Sequence, residues 1–258
     1  MNKTKIEWTD YTWNPVTGCW GPGGTAEKPN RCWYCYAQKI SNRFPEKYFG
    51  VDPFAPRFWA DRLNNPAKVK KPSRIFVGSI CDLFGDWVPE DWIIKILFSI
   101  LANAPHHTYQ FLTKNPKRLQ AFDPWPSNCW VGTTVTNQDD ADERLSWLLK
   151  VDASVRFVSH EPLLSEINLT VGGPGLFPWD TAKGKLKQET ANIGVPYFVD
   201  TPKINWAIIG AMTGPGYLQH LPQRSWIQSL INQCRAAGMP IFLKSNLNWL
   251  EKIQEWPG

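Results

Sequence analysis

The sequence lacks the features that would place the protein in a membrane or export it. No run of about 18 apolar residues occurs, which excludes an ordinary transmembrane helix. The opening stretch MNKTKIEWTDYTW has no apolar core of the kind that a secretory signal peptide needs. We therefore expect a cytoplasmic protein with no membrane partner.

Internal repeats and low-complexity tracts are absent as well, and neither sign of charge dominates. The formal net charge is +5, which would help to attract a polyanion but does not by itself indicate nucleic-acid binding. At 258 residues, the chain has the length of many single α/β barrels. We predict one domain that covers residues 1–258.

Short apolar runs alternate with amphipathic segments from residue 74 onward, a pattern typical of alternating strands and helices. The runs resemble buried parallel strands: RIFVGS (74–79), TYQFLT (108–113), CWVGTTV (129–135), VRFVSH (155–160), NWAIIGA (205–211) and PIFLK (240–244). A first strand is expected near Thr12 to Val16. We predict an α/β fold, a partial or complete (β/α) barrel of about six to seven parallel strands, with a doubly wound sheet as the alternative.

Three amphipathic segments between these runs predict helices. The first, residues 89–104, has an apolar face made of Trp92, Ile93, Ile96, Leu97, Ile100 and Leu101. The second starts at the capping residue Asn137 and turns four side chains inward, namely Ala141, Leu145, Leu148 and Leu149. The third runs from Ser225 to Ala237, ends before Gly238 and places Cys234 on its apolar face.

Residues 171–203 interrupt the alternation. This stretch is long and rich in glycine and proline, and it fits an inserted loop or hairpin after the fifth strand of the series. Lys183, Lys185 and Lys187 alternate within it and would share one face of an extended segment. Two readings stay open for these lysines: protection of a strand edge, or a strip that binds phosphate.

Polar residues follow several of the predicted strands, where parallel α/β folds bind their ligands. Together with the apolar Met212, the residues at these strand ends are Ser79, Asp82, Thr113, Lys114, Thr134, Thr136, Ser159, His160, Glu161, Thr213, Lys244, Ser245 and Asn246. Glu161 and Lys244 each have a structural reading beside the functional one. The carboxylate can form a salt bridge or a cap, and the lysine can extend to water.

Three cysteines near the start of the chain, Cys19, Cys32 and Cys35, are the strongest functional signal. Three thiolates on one iron–sulfur cluster leave one iron open for a substrate or cofactor. A structural zinc site is the alternative, and it would need a fourth ligand from elsewhere in the chain. Of the other cysteines, Cys129 and Cys234 are expected to be buried structural thiols, while Cys81 follows a strand and stays open.

The segment Cys32–Trp33–Tyr34–Cys35 resembles the cluster loop of radical S-adenosylmethionine (SAM) enzymes, although Cys19 precedes it by a wider spacing than usual. Further segments resemble a phage and bacterial three-cysteine-motif family that is related to those enzymes and to spore photoproduct lyase. They are IEWTDYTWNPVTGC, CWYCYA, PFAPRF, SICDLFGDWVP, FLTKNPKRL, ADERLSWLL, RFVSHEPLL and INQCRAAGMPIFLK.

The resemblance implies that Cys19, Cys32 and Cys35 bind a 4Fe-4S cluster. S-adenosylmethionine would occupy its fourth iron, and reductive cleavage would give a 5′-deoxyadenosyl radical that takes hydrogen from a nucleotide or nucleic-acid substrate. The implied cofactor contacts are Tyr34 at the adenine, Ser79 and Asp82 at the methionine moiety, and Thr134, Ser159 and Glu161 around the ribose or the substrate. We add Thr113 and Lys114 from their place at a strand end.

Two positions depart from the family pattern. Thr136 and Met212 stand where similar sequences tend to have acidic residues, so two carboxylates are missing from the expected cavity. A second hypothesis therefore stays open: a non-catalytic zinc- or metal-binding module that binds nucleic acid or a protein partner.

Overall fold

The computed structural model describes residues 1–43, 52–171, 179–180, 185–186, 203–214 and 216–258. Its central sheet has eight strands. In their order across the sheet, these strands are β1 (Asn2–Lys3), β2 (Tyr11–Trp13), β5 (Arg74–Val77), β6 (Thr108–Thr113), β7 (Cys129–Thr134), β8 (Val155–His160), β12 (Trp206–Ile209) and β13 (Ile241–Leu243).

The pairs β2–β5, β5–β6, β8–β12 and β12–β13 are parallel, whereas β1 pairs with β2 in the antiparallel direction. The predicted α/β fold with a mostly parallel sheet is confirmed. Closure of the sheet into a barrel stays a prediction.

The predicted first strand is divided in two. β2 ends at Trp13, and Val16–Thr17 form a separate strand, β3, which pairs antiparallel with β4 (Arg57–Phe58). Pro15 lies between the two pieces and has no N–H to donate to a ladder, which explains the interruption.

The chain divides into two compact units, Met1–Gly132 and Thr133–Gly258. The first unit contains α1 (Tyr36–Ser41) and α2 (Glu90–Asn103). In α2 the buried apolar side chains are Ile93, Ile96 and Ile100, which recur at helical spacing. The prediction was wrong for Leu101, which is 52% exposed, because the buried stripe is narrower than the predicted face.

The second unit contains α3 (Gln138–Leu148) and α4 (Arg224–Ala236). Asn137 caps α3 by accepting a hydrogen bond from the Asp140 N–H at 2.8 Å, as predicted. The predicted inward residues of α3 and Cys234 of α4 are all buried. After α4, Gly238 has φ +64°, the left-handed conformation that often ends a helix.

A small antiparallel sheet lies within and beside the predicted insertion. It contains β9 (Thr170–Val171), β10 (Trp179–Asp180) and β11 (Lys185–Leu186). The other residues of the range 172–202 lie outside the described part of the chain, and these include Lys183 and Lys187. None of the helices that the structure describes is both long and apolar enough to cross a membrane.

Candidate cluster and cofactor site

Backbone contacts in the first unit fix Cys19 tightly. The preceding residue, Gly18, donates its N–H to the carbonyl of Ile80 at 3.0 Å, and the Cys19 N–H donates to the carbonyl of Phe54 at 2.9 Å. Gly18 has φ +86°, and a Cβ added there would lie 2.1 Å from the carbonyl oxygen of Ala55. Since no side chain fits, this turn depends on glycine.

The segment between Cys19 and Cys32 folds back on itself, which is how the wide spacing is bridged. Asn30 donates its N–H to the Trp20 carbonyl at 2.7 Å, and Gly21 has φ +82° with no room for a Cβ against Asn30. Arg31 closes the loop by donating from Nε to the carbonyl of Cys19 at 2.9 Å, and its guanidinium also pairs with Asp52.

Cys32 and Cys35 form a tight turn in which the Cys35 N–H donates to the Cys32 carbonyl at 2.9 Å. Cys35 is the N-cap of α1, and its Sγ accepts a hydrogen bond from the Gln38 N–H at 3.4 Å. The Sγ of Cys19 accepts in the same way from the Gly21 N–H at 3.2 Å. Two of the three sulfurs therefore act as hydrogen-bond acceptors, as metal-bound thiolates do.

The three thiols lie within electrostatic reach of one another. Burial, followed by the negative charges of Asp82, Cys35 and Cys32, raises the pKa of Cys19 to about 12. The pKa of Cys35 is raised as well, first by burial and then by Cys32, while Lys114 opposes the shift. Such thiols are neutral without metal, and they lose their protons when metal binds.

The cysteine loop can be compared with the needs of a single metal ion and of a four-iron cluster. Within the described residues, no three His, Cys, Asp or Glu side chains are grouped closely enough for a single ion. A four-iron cluster is wider, because each thiolate binds a different iron. Three thiols that influence one another but are not grouped around a single ion therefore fit a cluster better than they fit one zinc ion.

Cys81 is the fourth thiol of this region. It forms a parallel bridge with Gly18, next to Cys19 in the chain. Burial raises its pKa, and the charges of Asp82 and Cys19 raise it further. Cys81 thus lies within electrostatic reach of Cys19, whereas Cys129 is fully buried in β7.

Ser79 lies beyond β5 in a hydrogen-bonded pair with Asn14. Asn14 donates from Nδ2 to the serine hydroxyl at 3.1 Å, and its Oδ1 accepts from the Ile80 N–H at 3.2 Å. The Tyr36 hydroxyl donates to the Ser79 carbonyl, which attaches α1 to the end of β5. Asn14 was missed from the sequence; its place directly after β2 was the available signal.

The Asp82 carboxylate joins the ends of β5 and β6. Oδ1 accepts from the Thr113 hydroxyl at 2.6 Å and from the Phe84 N–H at 3.2 Å, while Oδ2 accepts from the Lys114 N–H at 2.9 Å. These three hydrogen bonds make Asp82 a structural link between the ends of the two strands. Its predicted contact with the methionine moiety stays a prediction.

Tyr34 and Lys114 meet beside the cysteine turn. The ammonium of Lys114 lies 5.6 Å from the centre of the Tyr34 ring, within cation–π range. Trp33 packs edge-on against Tyr34 with ring centres 5.3 Å apart, and it remains 57% exposed. The structure thus brings Tyr34, Ser79, Asp82, Thr113 and Lys114 to the surroundings of the three cysteines.

The other predicted contacts belong to the second unit. Thr134 and Ser159 are buried, and their carbonyls accept from Arg144 Nη1 at 2.8 Å and from the Val135 N–H at 3.0 Å. Thr136 donates from N and Oγ1 to Asp140 at 2.9 and 2.6 Å. A carboxylate therefore lies one turn beyond the position where it was expected, although Thr136 and Arg144 already engage it.

Glu161 follows β8 and pairs with Lys244, which follows β13. The ion pair is the structural interpretation given for Glu161. Lys244 does not extend to water as its structural interpretation expected, because its side chain is only 11% exposed. Beside them, His160 is fully buried, and burial lowers its pKa to about 4. Its Nδ1 lies 3.0 Å from the Val135 carbonyl, which can only accept, so the proton is on Nδ1.

Met212, the second position that departs from the family pattern, is buried, as is usual for an apolar side chain.

The sequence matches the model of a family described as "Protein of unknown function (DUF5131)" over residues 3–255. A comparison with curated proteins gives no match. A solved structure of spore photoproduct lyase complexed with dinucleoside spore photoproduct matches with a TM-score of 0.52 and 14% identity, over 94% of this chain and 79% of that one.

A mutant spore photoproduct lyase with bound AdoMet and dinucleoside spore photoproduct matches with a TM-score of 0.45 and 17% identity, over 62% of this chain. The chain spans 48% of the length of that protein. At 14% identity, the structure with a TM-score of 0.52 shows a similar fold alone, and the likeness to spore photoproduct lyase that the motifs predicted is confirmed at that level.

Proposed function

We propose that this chain, which belongs to the family described as protein of unknown function (DUF5131), is a radical SAM-type enzyme. Cys19, Cys32 and Cys35 would hold a 4Fe-4S cluster, and S-adenosylmethionine would bind beside it. The observation that carries this proposal is that the sulfurs of Cys19 and Cys35 accept backbone N–H groups, while Cys32 lies in one tight turn with Cys35.

A bound cluster of this kind supplies an electron that cleaves S-adenosylmethionine and starts radical chemistry on a substrate. The chain's own residues would then bind, orient and shield. Gly21 and Gln38 donate N–H groups to the sulfurs of Cys19 and Cys35, which orients these thiolates and lessens their negative charge.

Tyr34 offers an aromatic face for a flat ring, and Lys114 lies close to that face with a positive charge. Ser79 and its partner Asn14 offer a hydroxyl and an amide at the next strand end. Asp82 contributes indirectly, because it fixes Thr113 and the backbone of Lys114. These residues form a coherent candidate site for the cofactor in the first unit.

The substrate class that we propose is a nucleotide or nucleic acid. The shared fold with a spore photoproduct lyase complexed with a dinucleoside photoproduct supports this choice. The net charge of +5 is compatible with a polyanionic substrate. Binding of an oligonucleotide should weaken steeply as salt is added.

Anaerobic purification followed by iron and sulfide analysis tests the metal assignment. We expect about four irons per chain, a reduced cluster visible by electron paramagnetic resonance, and 5′-deoxyadenosine formed from S-adenosylmethionine after reduction. About one zinc per chain with no iron would instead favour the metal-binding module.

Single cysteine variants give the matched comparison. Cys32→Ala should lose the iron and the 5′-deoxyadenosine product, because a three-thiolate site has no spare ligand. Cys234→Ala removes a thiol buried in α4 and should keep both. Equal iron content in the two variants would contradict the assignment, and loss of metal in Cys81→Ser would identify a closed four-cysteine site.

A further inference from the structure

Glu161, Gly210 and Lys244 form one row across three parallel strands of the second unit. Ile209 of β12 is in register with His160 of β8 and with Leu243 of β13. Glu161, Gly210 and Lys244 directly follow these three residues and extend the row by one position. The strand that carries Gly210 lies between the other two strands, so the side chains of Glu161 and Lys244 can meet only above Gly210.

Gly210 makes the meeting possible. A Cβ added there would lie 2.9 Å from Cδ of Lys244 and 3.2 Å from Cγ and Cδ of Glu161. The ion pair between Lys244 and Glu161 therefore crosses directly over the glycine. Any larger residue in the middle of the row would push one or both side chains aside.

The backbone beneath the pair is held firmly. The Gly210 N–H donates to the His160 carbonyl at 3.0 Å, and the Gly210 carbonyl accepts from the Leu163 N–H at 3.0 Å. The Lys244 N–H donates to the Ile209 carbonyl at 2.9 Å. With its base fixed on three strands, the pair has little freedom to separate.

The carboxylate of Glu161 can accept further hydrogen bonds. Lys244 engages one of its oxygens, and among the described residues no other donor reaches the group. The two side chains are 23% and 11% exposed, so Glu161 can be reached while Lys244 is nearly enclosed. An ionised carboxylate accepts several hydrogen bonds at once.

The charge of the pair limits what can bind there. A cationic group that took Lys244's place would leave a nearly buried ammonium without its partner, which is costly. An uncharged donor, such as a hydroxyl, can use the second oxygen and leave the pair intact. The site therefore favours hydroxyl donors over ammonium groups.

We infer that Lys244 is a positioning residue, which acts across Gly210 to hold the Glu161 carboxylate ready for a hydroxyl of a nucleoside bound at the second unit. This inference rests on the proposed function, whose substrate class, a nucleotide or nucleic acid, supplies the nucleoside. Lys244 itself does not touch the ligand; its effect passes through Glu161.

Adenosine is the probe, titrated calorimetrically into the full chain. Lys244→Met should weaken adenosine binding by about tenfold, the effect of misplacing one charge-assisted hydrogen bond. Lys244→Arg should restore most of the affinity. In a Glu161→Gln background, Lys244→Met should add little further loss, because the residue through which it acts is already changed.

Two analogues and one control complete the test. Either 2′-deoxyadenosine or 3′-deoxyadenosine should bind about tenfold more weakly than adenosine to the wild type, and this difference should shrink in Glu161→Gln. Arg235→Met breaks the more exposed pair with Glu255 in the same unit and should leave binding unchanged. Urea unfolding of each variant verifies that it is folded.

Unchanged affinity in Lys244→Met overturns the inference, as does an equal loss from that substitution in the wild-type and Glu161→Gln backgrounds. Equal affinity for all three nucleosides, or no adenosine binding by the wild type, overturns it too. Iron content and 5′-deoxyadenosine formation test the proposed function separately. A failure of the positioning role of Lys244 is therefore distinguishable from a failure of the proposed function.

Discussion

The cysteine loop of the first unit and the strand-end row of the second unit place their functional groups by different means. In the loop, backbone hydrogen bonds and glycines in the left-handed region fix the main chain around the cysteines. In the row, two long side chains meet over a glycine, and their ion pair sets the geometry. Changes in the first region should therefore be severe, while changes in the second should be graded.

Gly18→Ala should give the largest effect. The new Cβ would meet a backbone oxygen 2.1 Å away, and φ +86° is unfavourable for alanine. We expect the free energy of unfolding to fall by about 3 kcal/mol or more, with loss of bound iron. Urea titration and iron analysis measure the two effects. Gly23→Ala is the control, since Gly23 also has positive φ but nothing within 4 Å.

Asp82→Ala should come next, because it removes three hydrogen bonds from one carboxylate. We expect a loss of about 3 kcal/mol in the free energy of unfolding, measured by urea titration. Asp86→Ala is the matched control: that exposed carboxylate accepts from Asn115 at 2.8 Å and should cost under about 1 kcal/mol. Similar losses in the two variants would show that the three hydrogen bonds of Asp82 stabilise the fold no more than the one at Asp86.

His160 should make the second unit sensitive to acid. Its pKa is about 4 in the folded chain against an ordinary 6.5, because burial disfavours the charged ring. The unfolded chain therefore binds the proton first, and the stability present above pH 6.5 should fall as the pH drops toward 4, by about 3 kcal/mol.

Urea titrations at a series of pH values measure this dependence. His160→Gln should flatten the dependence between pH 6.5 and 4, since an amide can still donate to the Val135 carbonyl without titrating. His106→Asn, a change at an exposed ring, should keep it. An unchanged slope in His160→Gln would assign the acid sensitivity to other groups.

The strands and helices could be predicted because the buried elements carry strong apolar patterns. All four apolar positions predicted to face inward on α3 are buried, and so is Cys234 on α4. The failure at Leu101 has a physical cause: an apolar residue at the edge of a helical stripe can be exposed without any local signal.

The candidate site could be predicted only in part. Cys19, Cys32 and Cys35 were visible as a motif, and the strand-end rule found Glu161 and Lys244. The connection between those two was not visible, since it depends on the register of three strands and on Gly210. Asn14 and Asp140 were missed for a similar reason: their partners, Ser79 and Thr136, are chosen by tertiary geometry.

Gly210→Ala should give the smallest effect and compares directly with Gly18→Ala. The added Cβ meets side-chain carbons of Lys244 and Glu161 at 2.9 and 3.2 Å instead of a backbone atom. The chains can shift by rotamer change, so we expect a loss of about 1 kcal/mol in the free energy of unfolding. In a Lys244→Met background the closest atom, Cδ of Lys244, is replaced. Gly210→Ala should then lower the free energy of unfolding by less than it does in the wild type. A loss as large as that of Gly18→Ala would mean that the row is as rigid as the cysteine loop.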